Sequence, residues 1–155
     1  MTAPRRLQSE FENADQSTGL VLWRVTNAWQ AAQRAALKPF GLTHVQFVLL
    51  ASLTWLDVDQ PVTQQHLAEH AGIDAMMTSQ VLRVLERNGL VERHSHPVDG
   101  RAKILSVTAA GAELANRAIV AVEACDTAFF GPVGDQRVTL TRLLRQLVSQ
   151  SRSVT

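Results

Sequence analysis

The chain has 155 residues, of which 46% are hydrophobic and 19% are charged, a balance typical of one globular domain rather than of a disordered chain. The formal net charge of +1 argues against a general polyanion binder, so any nucleic-acid surface must come from local clustering of basic residues. The single cysteine, Cys125, excludes an intrachain disulfide and suits a reducing compartment. Without a long apolar run or a signal-peptide pattern, we expect a cytoplasmic protein with no membrane partner.

The N-terminal third of the sequence predicts two helices. Residues 10–36 favour a helix that is apolar on more than one face, so it needs more than one packing surface, part of which a second subunit can supply. Pro39 and Gly41 break this helix. Thr43 and Gln46 then fit a capping box that starts the next helix, whose dense apolar residues predict the buried centre of the domain.

Residues 62–108 carry two short helices and a hairpin in close succession. Thr63 can cap the first helix and Gly72 can end it, while Asp74 can cap a second helix that runs to Asn88. Helical spacing gives the second helix one inward stripe and one polar, basic outer face. The stripe consists of Thr78, Val81, Leu82 and Leu85; the outer face consists of Met76, Ser79, Gln80, Arg83 and Arg87. This is the layout of a helix-turn-helix.

A hairpin with a basic tip follows the two helices. Strands are predicted at 90–94 and 102–107, and residues 97–100 between them have turn chemistry, with Arg101 at the tip. From Arg83 to Lys103 there are five Lys and Arg against three Asp and Glu, a modest local excess of positive charge. A helix-turn-helix followed by such a hairpin is a winged helix.

Two further helices complete the chain. Thr108 can cap a helix that extends through residues 112–130, residues 131–134 break it, and a last helix is predicted at about 135–149. Both ends of the sequence therefore carry more apolar surface than the winged helix alone can cover.

Three motifs resemble those of MarR-type transcriptional regulators. The residues DGR at 99–101 and LSVTAAG at 105–111 resemble the family's D-x-R…L/V-T-x-x-G wing signature. LERNGLVER at 85–93 is similar to L-E-x-x-G-L-V-x-R, and GLTHVQF at 41–47 resembles G-L-T-x-x-Q-[FYW]. The motifs occur in the family's order and spacing, and the resemblance covers roughly residues 18–150.

The resemblance implies a fold that is mainly α with a small β-hairpin wing, in a single domain over residues 1–155. The winged helix would span about 42–108, flanked by dimerisation helices at about 10–40 and 109–150. The implied function is that of a homodimeric regulator of transcription, expected to be a repressor, that binds a short inverted repeat in double-stranded DNA. No cofactor and no catalysis are implied, and a small aromatic or lipophilic effector would release the DNA.

Candidate DNA contacts follow from the types of residue at these places. Arg101 is suited to a narrow minor groove, with Asp99 holding it in place, and Ser79, Gln80 and Arg83 are suited to base edges in the major groove. The other candidates are suited to phosphate or, for Met76, to a thymine methyl group. The full predicted set is Thr63, Gln64, Met76, Ser79, Gln80, Arg83, Arg87, Asp99, Arg101 and Lys103.

Several alternatives stay open. Trp23, Phe47 and Trp55 are candidates for an aromatic effector pocket, although ordinary core packing explains each of them as well. The five histidines allow a metal-responsive regulator of the same fold, and Cys125 allows a redox-responsive one, although acidic neighbours do not favour a reactive thiol. The histidines are His44, His66, His70, His94 and His96.

Two more distant readings concern function outside DNA binding. His66 and His70 match the zinc-protease pattern H-x-x-E-H, but the helix is short and no motif supplies a third ligand, so we predict no metal and no enzyme. A winged helix that binds protein rather than DNA is the other alternative.

Overall fold

The computed structural model describes residues 6–58 and 60–152, with the side chain of Arg152 left aside. Six α-helices and three β-strands lie within these ranges. They are α1 (Thr18–Leu37), α2 (His44–Leu56), β1 (Val62–Thr63), α3 (Gln64–Ala71), α4 (Ala75–Arg87), β2 (Val91–Ser95), β3 (Lys103–Val107), α5 (Ala109–Phe129) and α6 (Arg137–Arg152). The predicted domain also included residues 1–5, 59 and 153–155, which lie outside the described residues.

Side-chain caps set the starts of these helices. The Thr43 and Gln46 side chains each accept a backbone N–H from the other residue, which completes the predicted capping box of α2. Thr63, Asp74 and Thr108 cap α3, α4 and α5, as their positions predicted.

The predicted start of the first helix at residue 10 was wrong. The Ser17 side chain accepts the backbone N–H of Leu20, so α1 begins at Thr18, and Asn13 caps a separate 3-10 turn at Ala14–Gln16. Short polar side chains that bond to nearby backbone groups compete with helix continuation, and a pattern of helix-favouring residues does not register that competition.

The wing is a three-stranded antiparallel sheet in the order β1–β3–β2. In β3, Leu105 pairs with Val62 of β1 on one side and with Arg93 of β2 on the other. The hairpin was predicted, but β1 was not, because two residues are too short to show an alternating pattern.

The hydrophobic core centres on α2, as its apolar composition predicted. Leu49, Leu50 and Leu53 are fully buried. They belong to one cluster with residues of α3, α4, β3 and α5, including Leu67, Leu82, Leu85, Leu105 and Ala118. The helix-turn-helix, the wing and α5 are therefore fixed around a common core.

The helices at the two ends of the chain expose apolar side chains. We call this surface the end-helix face; it consists of Leu20, Val21, Leu22, Trp23 and Val25 of α1 and Val138, Leu143, Leu144, Leu147 and Val148 of α6. Such a large exposed apolar area on a folded chain is typical of a protein interface. No single described helix is long and apolar enough to cross a membrane, although the bent pair of 18–40 and 44–56, at 75°, passes by length and composition together.

Candidate nucleic-acid interface

Helix α4 presents an exposed polar face above a buried one. Asp74 accepts the backbone N–H of Met77 at 2.8 Å, and Thr78, Leu82 and Leu85 are fully buried, which fixes the rotation of the helix. Opposite this stripe, Gln80, Arg83 and Arg87 are exposed and Ser79 is half-buried, while Met76 is 72% exposed. An uncovered thioether at the start of the helix is therefore available for apolar contact.

A carboxylate lies within this basic face, and the wing neutralises it. Glu86 lines a shallow groove of about 460 Å³ together with Gln80, Arg83 and Arg87. The Nε of Arg93, on β2, lies 2.7 Å from Oε2 of Glu86. Because Arg93 balances the carboxylate, Glu86 does not cancel the charges of Arg83 and Arg87 along the groove.

Arg93 also connects three elements of the interface. Besides its bond to Glu86 of α4, its guanidinium donates a longer hydrogen bond of 3.4 Å to Oε1 of Gln64, in the first turn of α3. Arg93 itself is part of β2, so one side chain joins α3, α4 and the wing. The sequence motif contains both Arg93 and Glu86, but its local spacing gave no sign that they would meet.

The wing and the start of α3 enclose a cleft of about 500 Å³. The cleft is lined by Thr63, Gln64, Gln65, His96, Asp99, Arg101, Ala102 and Lys103. Five of the predicted DNA contacts, Thr63, Gln64, Asp99, Arg101 and Lys103, thus border one space. The cleft is open to solvent and has basic side chains on the wing side, with first-turn N–H groups of α3 opposite, which is chemistry suited to phosphate oxygens.

Two side chains shape the turn at the tip of the wing. Oδ1 of Asp99 accepts the backbone N–H of Arg101 at 3.1 Å, so the contact of Asp99 is to the backbone of Arg101 and not to its guanidinium. Nδ1 of His96 accepts the backbone N–H groups of Val98 and Asp99, each at 3.1 Å. The Arg101 side chain is exposed.

Comparison with known proteins places this architecture. The family model described as the MarR family matches residues 42–103. The uncharacterised HTH-type transcriptional regulator YdcH of Bacillus subtilis is 42% identical over 123 residues, covering 79% of this chain and 84% of that protein. The chain belongs to the MarR family. The predicted fold and function are thereby confirmed at the level of a winged-helix regulator of transcription.

Solved structures of MarR-type regulators have the same fold. The transcriptional repressor CouR bound to a 23-mer DNA duplex superposes with a TM-score of 0.79 at 26% identity, covering 90% of this chain and 99% of that one. CouR from Rhodococcus jostii RHA1 bound to p-coumaroyl-CoA superposes with a TM-score of 0.75 at 26% identity, covering 89% and 96%.

The three aromatic residues proposed for an effector pocket differ in their exposure within one chain. Phe47 is buried in the core, Trp23 is 67% exposed on α1, and Trp55 is 71% exposed at the end of α2. Trp55 lines a small cavity of about 90 Å³ between α2 and α5. The sequence identified these residues as aromatic, but it could not show which surface each one faces.

The histidines of this MarR chain do not gather into a metal site within the described residues, where no group of three or more His, Cys, Asp or Glu is placed to hold an ion. His94 instead lies 3.4 Å from the carboxylate of Glu92 on the same strand. Cys125 is half-buried on α5.

Sequence analysis missed a polar cluster between α1 and α5. Oδ1 of Asp126 accepts hydrogen bonds from Nε1 of Trp29 at 2.8 Å and from Nε2 of Gln33 at 2.7 Å. Gln33 is fully buried, and its Oε1 has no hydrogen-bond partner among the described residues. The available signal was that Trp29 and Gln33 are spaced one turn apart, but nothing local indicated Asp126.

His44 stands beside this cluster. Its ring meets that of Trp29 edge-on, with centroids 5.0 Å apart. Burial lowers the pKa of His44 below its usual value, the charge of Arg34 lowers it further, and Asp126 opposes both effects. The neutral imidazole is therefore favoured at the start of α2.

Proposed function

We propose that the chain is a homodimeric repressor that binds a short inverted repeat in double-stranded DNA. The observation that carries this proposal is the linkage through Arg93, which joins α4, the start of α3 and the wing. A continuous surface of this kind can engage a major groove, the flanking phosphates and a minor groove at once. The chain acts by binding rather than by catalysis, and we propose the cytoplasm as its compartment.

The α4 face supplies the contacts to base edges. Gln80 can bond bidentately to adenine and Arg83 to guanine, while Ser79 can bond to either. The exposed Met76 contacts a thymine methyl group. Because these side chains stand on a helix whose opposite face packs into the core, their positions are set by the core rather than by a mobile loop.

The remaining residues fix the position of the protein along the duplex and add contacts in the minor groove. Arg87, Thr63, Gln64 and Lys103 contact phosphates; the last three border the cleft between α3 and the wing. Arg101 enters the minor groove, where the potential of narrow A·T-rich DNA attracts a guanidinium. Asp99 contributes by bonding to the backbone at Arg101.

A second copy of the chain covers the end-helix face. The recognition helix of each copy is α4. Two such helices, related by a twofold axis, then lie about 34 Å apart along the duplex, which is one turn of DNA, so the target must be an inverted repeat. The domain boundaries follow: residues 42–108 contact DNA, and about 10–40 and 109–150 form the dimer.

A small aromatic or lipophilic effector controls this dimer. Support comes from two relatives in fold: a repressor CouR solved with a DNA duplex, and the CouR of Rhodococcus jostii RHA1 solved with p-coumaroyl-CoA. Trp23 and Trp55, both exposed in one chain, are available to line a site that the second chain completes. A ligand that binds one dimer arrangement better than the other shifts the spacing of the recognition helices and so lowers DNA affinity.

The test is a salt series of affinities for a duplex that spans the gene's own upstream region, compared with a random duplex. The slope of log K against log salt should be about −0.9 for each phosphate contacted, and several contacts are expected. Arg101→Ala should weaken specific binding about tenfold, which corresponds to about 1.4 kcal/mol.

Lys38→Ala is the matched control, since it removes one positive charge from an exposed residue that belongs neither to the proposed DNA contacts nor to the end-helix face. It should leave both affinity and slope unchanged. If Arg101→Ala behaves like Lys38→Ala, the wing does not contact DNA. If neither duplex binds even at low salt, DNA binding itself is wrong and protein binding becomes the better account.

A further inference from the structure

The turn that carries Arg101 has no apolar anchor. We call residues 96–102 the wing turn; they connect β2 to β3. Val98 is 91% exposed, and Pro97, Asp99 and Gly100 are exposed as well. A seven-residue connection is longer than the two-residue loops that fix a hairpin by backbone geometry alone. Polar contacts within the turn must therefore hold its shape.

Backbone bonds supply only part of this order. The N–H of His96 donates to the carbonyl of Ala102, and the N–H of Ala102 donates to the carbonyl of Asp99, both at 3.0 Å. These bonds close the two ends of the turn. They leave the consecutive N–H groups of Val98 and Asp99, at the outer end of the wing, without a backbone acceptor.

The imidazole of His96 fills this gap. Its Nδ1 accepts both N–H groups at 3.1 Å, and Oδ1 of Asp99 accepts the N–H of Arg101 in turn. A ring nitrogen that accepts hydrogen bonds carries no proton, so in this arrangement the proton of the imidazole lies on Nε2. His96 thus orders the residues immediately before Arg101.

We infer that His96 is a positioning residue for Arg101: its Nδ1 holds the wing turn in the conformation that presents the guanidinium to the minor groove. This inference rests on the proposed function. A guanidinium on an unordered seven-residue loop would have to be ordered at the moment of binding, which costs affinity. His96 removes part of that cost in the free protein.

The prediction is tested with three substitutions that place the acceptor differently. His96→Asn keeps an acceptor bonded to Cγ, where Nδ1 is bonded in histidine, and asparagine forms such turns readily. His96→Gln moves the acceptor one bond further out, and His96→Ala removes it. We expect Asn to bind the operator duplex within about twofold of the wild type, and Gln and Ala to bind roughly fivefold more weakly.

A double-mutant cycle separates positioning from direct contact. If His96 acts through Arg101, His96→Ala should change affinity by less than about twofold once Arg101→Ala is present. An equal loss in both backgrounds would mean that His96 acts independently of Arg101, and would overturn the inference. Failure of Asn to restore affinity would overturn it too.

Amide hydrogen exchange gives a readout that does not involve DNA. The amides of Val98 and Asp99 should exchange faster in the Ala and Gln variants than in the wild type and the Asn variant. Unchanged exchange in His96→Ala would show that Nδ1 does not order the turn, whatever the DNA data show. If exchange responds as expected but Arg101→Ala leaves affinity unchanged, the proposed wing contact has failed, and with it the role of His96 in binding.

Discussion

Gly111, in the first turn of α5, should be the glycine at which a single methyl group is most harmful. A Cβ at this position would overlap the carbonyl oxygen of Leu90 and lie 2.9 Å from its carbonyl carbon and 3.0 Å from Cγ2 of Val107. The obstacle is mostly backbone, which cannot rotate away as a side chain can. The same Leu90 oxygen accepts the N–H of Thr108 at 3.1 Å, so separating the two segments also breaks a bond at the cap of α5.

The expected loss of stability combines two destabilising contributions and one stabilising contribution. Extra atoms forced into a packed site typically cost about 1–3 kcal/mol. A strained or lost hydrogen bond adds about 1 kcal/mol, whereas alanine in a helix regains up to about 1 kcal/mol relative to glycine. Because the overlap is with backbone, the upper end of the first range applies, and Gly111→Ala should lower the free energy of unfolding by about 3 kcal/mol.

Urea unfolding would measure this difference, with Gly19→Ala as the matched control. Gly19 lies in the first turn of α1, and among the described residues no atom beyond its chain neighbours and its own helical backbone lies within 4 Å of the position that an added methyl group would occupy. Its replacement should therefore be neutral or stabilising by up to about 1 kcal/mol. Both variants must be compared at the same protein concentration, since dimerisation contributes to stability. A free energy of unfolding for Gly111→Ala within about 0.5 kcal/mol of the wild-type value would refute the close approach of α5 to Leu90.

Two further predictions concern His44, at the start of α2, and Leu147, on the end-helix face. Because burial and Arg34 lower the pKa of His44, the unfolded state takes up the proton first as the pH falls. The free energy of unfolding should therefore decrease as the pH drops below about 6.5, until the folded state is protonated too. His44→Gln should flatten this dependence in a pH series of urea unfolding experiments. Leu147→Glu, on the end-helix face, should weaken the dimer by at least about tenfold in analytical ultracentrifugation, because it places a charge in the interface. Val58→Glu, which changes an exposed loop residue, is its control. Equal dimer affinities for the two variants would contradict the assigned interface.

Features encoded within a few residues could be predicted from the sequence. Thr43 and Gln46 bond reciprocally as a capping box because both partners lie within one turn. Gly72 ends α3 with a φ of +68°, a conformation that glycine adopts at little cost. The inward stripe of α4 followed from helical spacing alone, and with it the identity of the outward face.

Features that depend on contacts between distant residues could not be predicted. Asp126 receives its hydrogen bonds from Trp29 and Gln33, more than 90 residues earlier in the chain, and no local pattern connects them. The bond between Arg93 and Glu86 joins residues seven apart, but only because the chain reverses at the end of α4. The bonds from Val98 and Asp99 to His96 are local, spanning two and three residues, but the sequence pattern marked only a turn and did not indicate that an imidazole would accept them.

The two ends of α5 connect the end helices to the wing. Near its start, Gly111 packs against Leu90, which leads into β2; near its end, Asp126 bonds to α1 through Trp29 and Gln33. Twenty-one residues of helix span about 30 Å, and four buried residues between Gly111 and Val122 pack α5 against the core, so we expect α5 to transmit displacement rather than to absorb it. A rearrangement of α1 in the dimer that preserves the bonds to Asp126 must therefore move α5, and through Gly111 it must also move the base of the wing. This gives the proposed effector a physical route to Arg101 that does not require it to touch the DNA-binding surface.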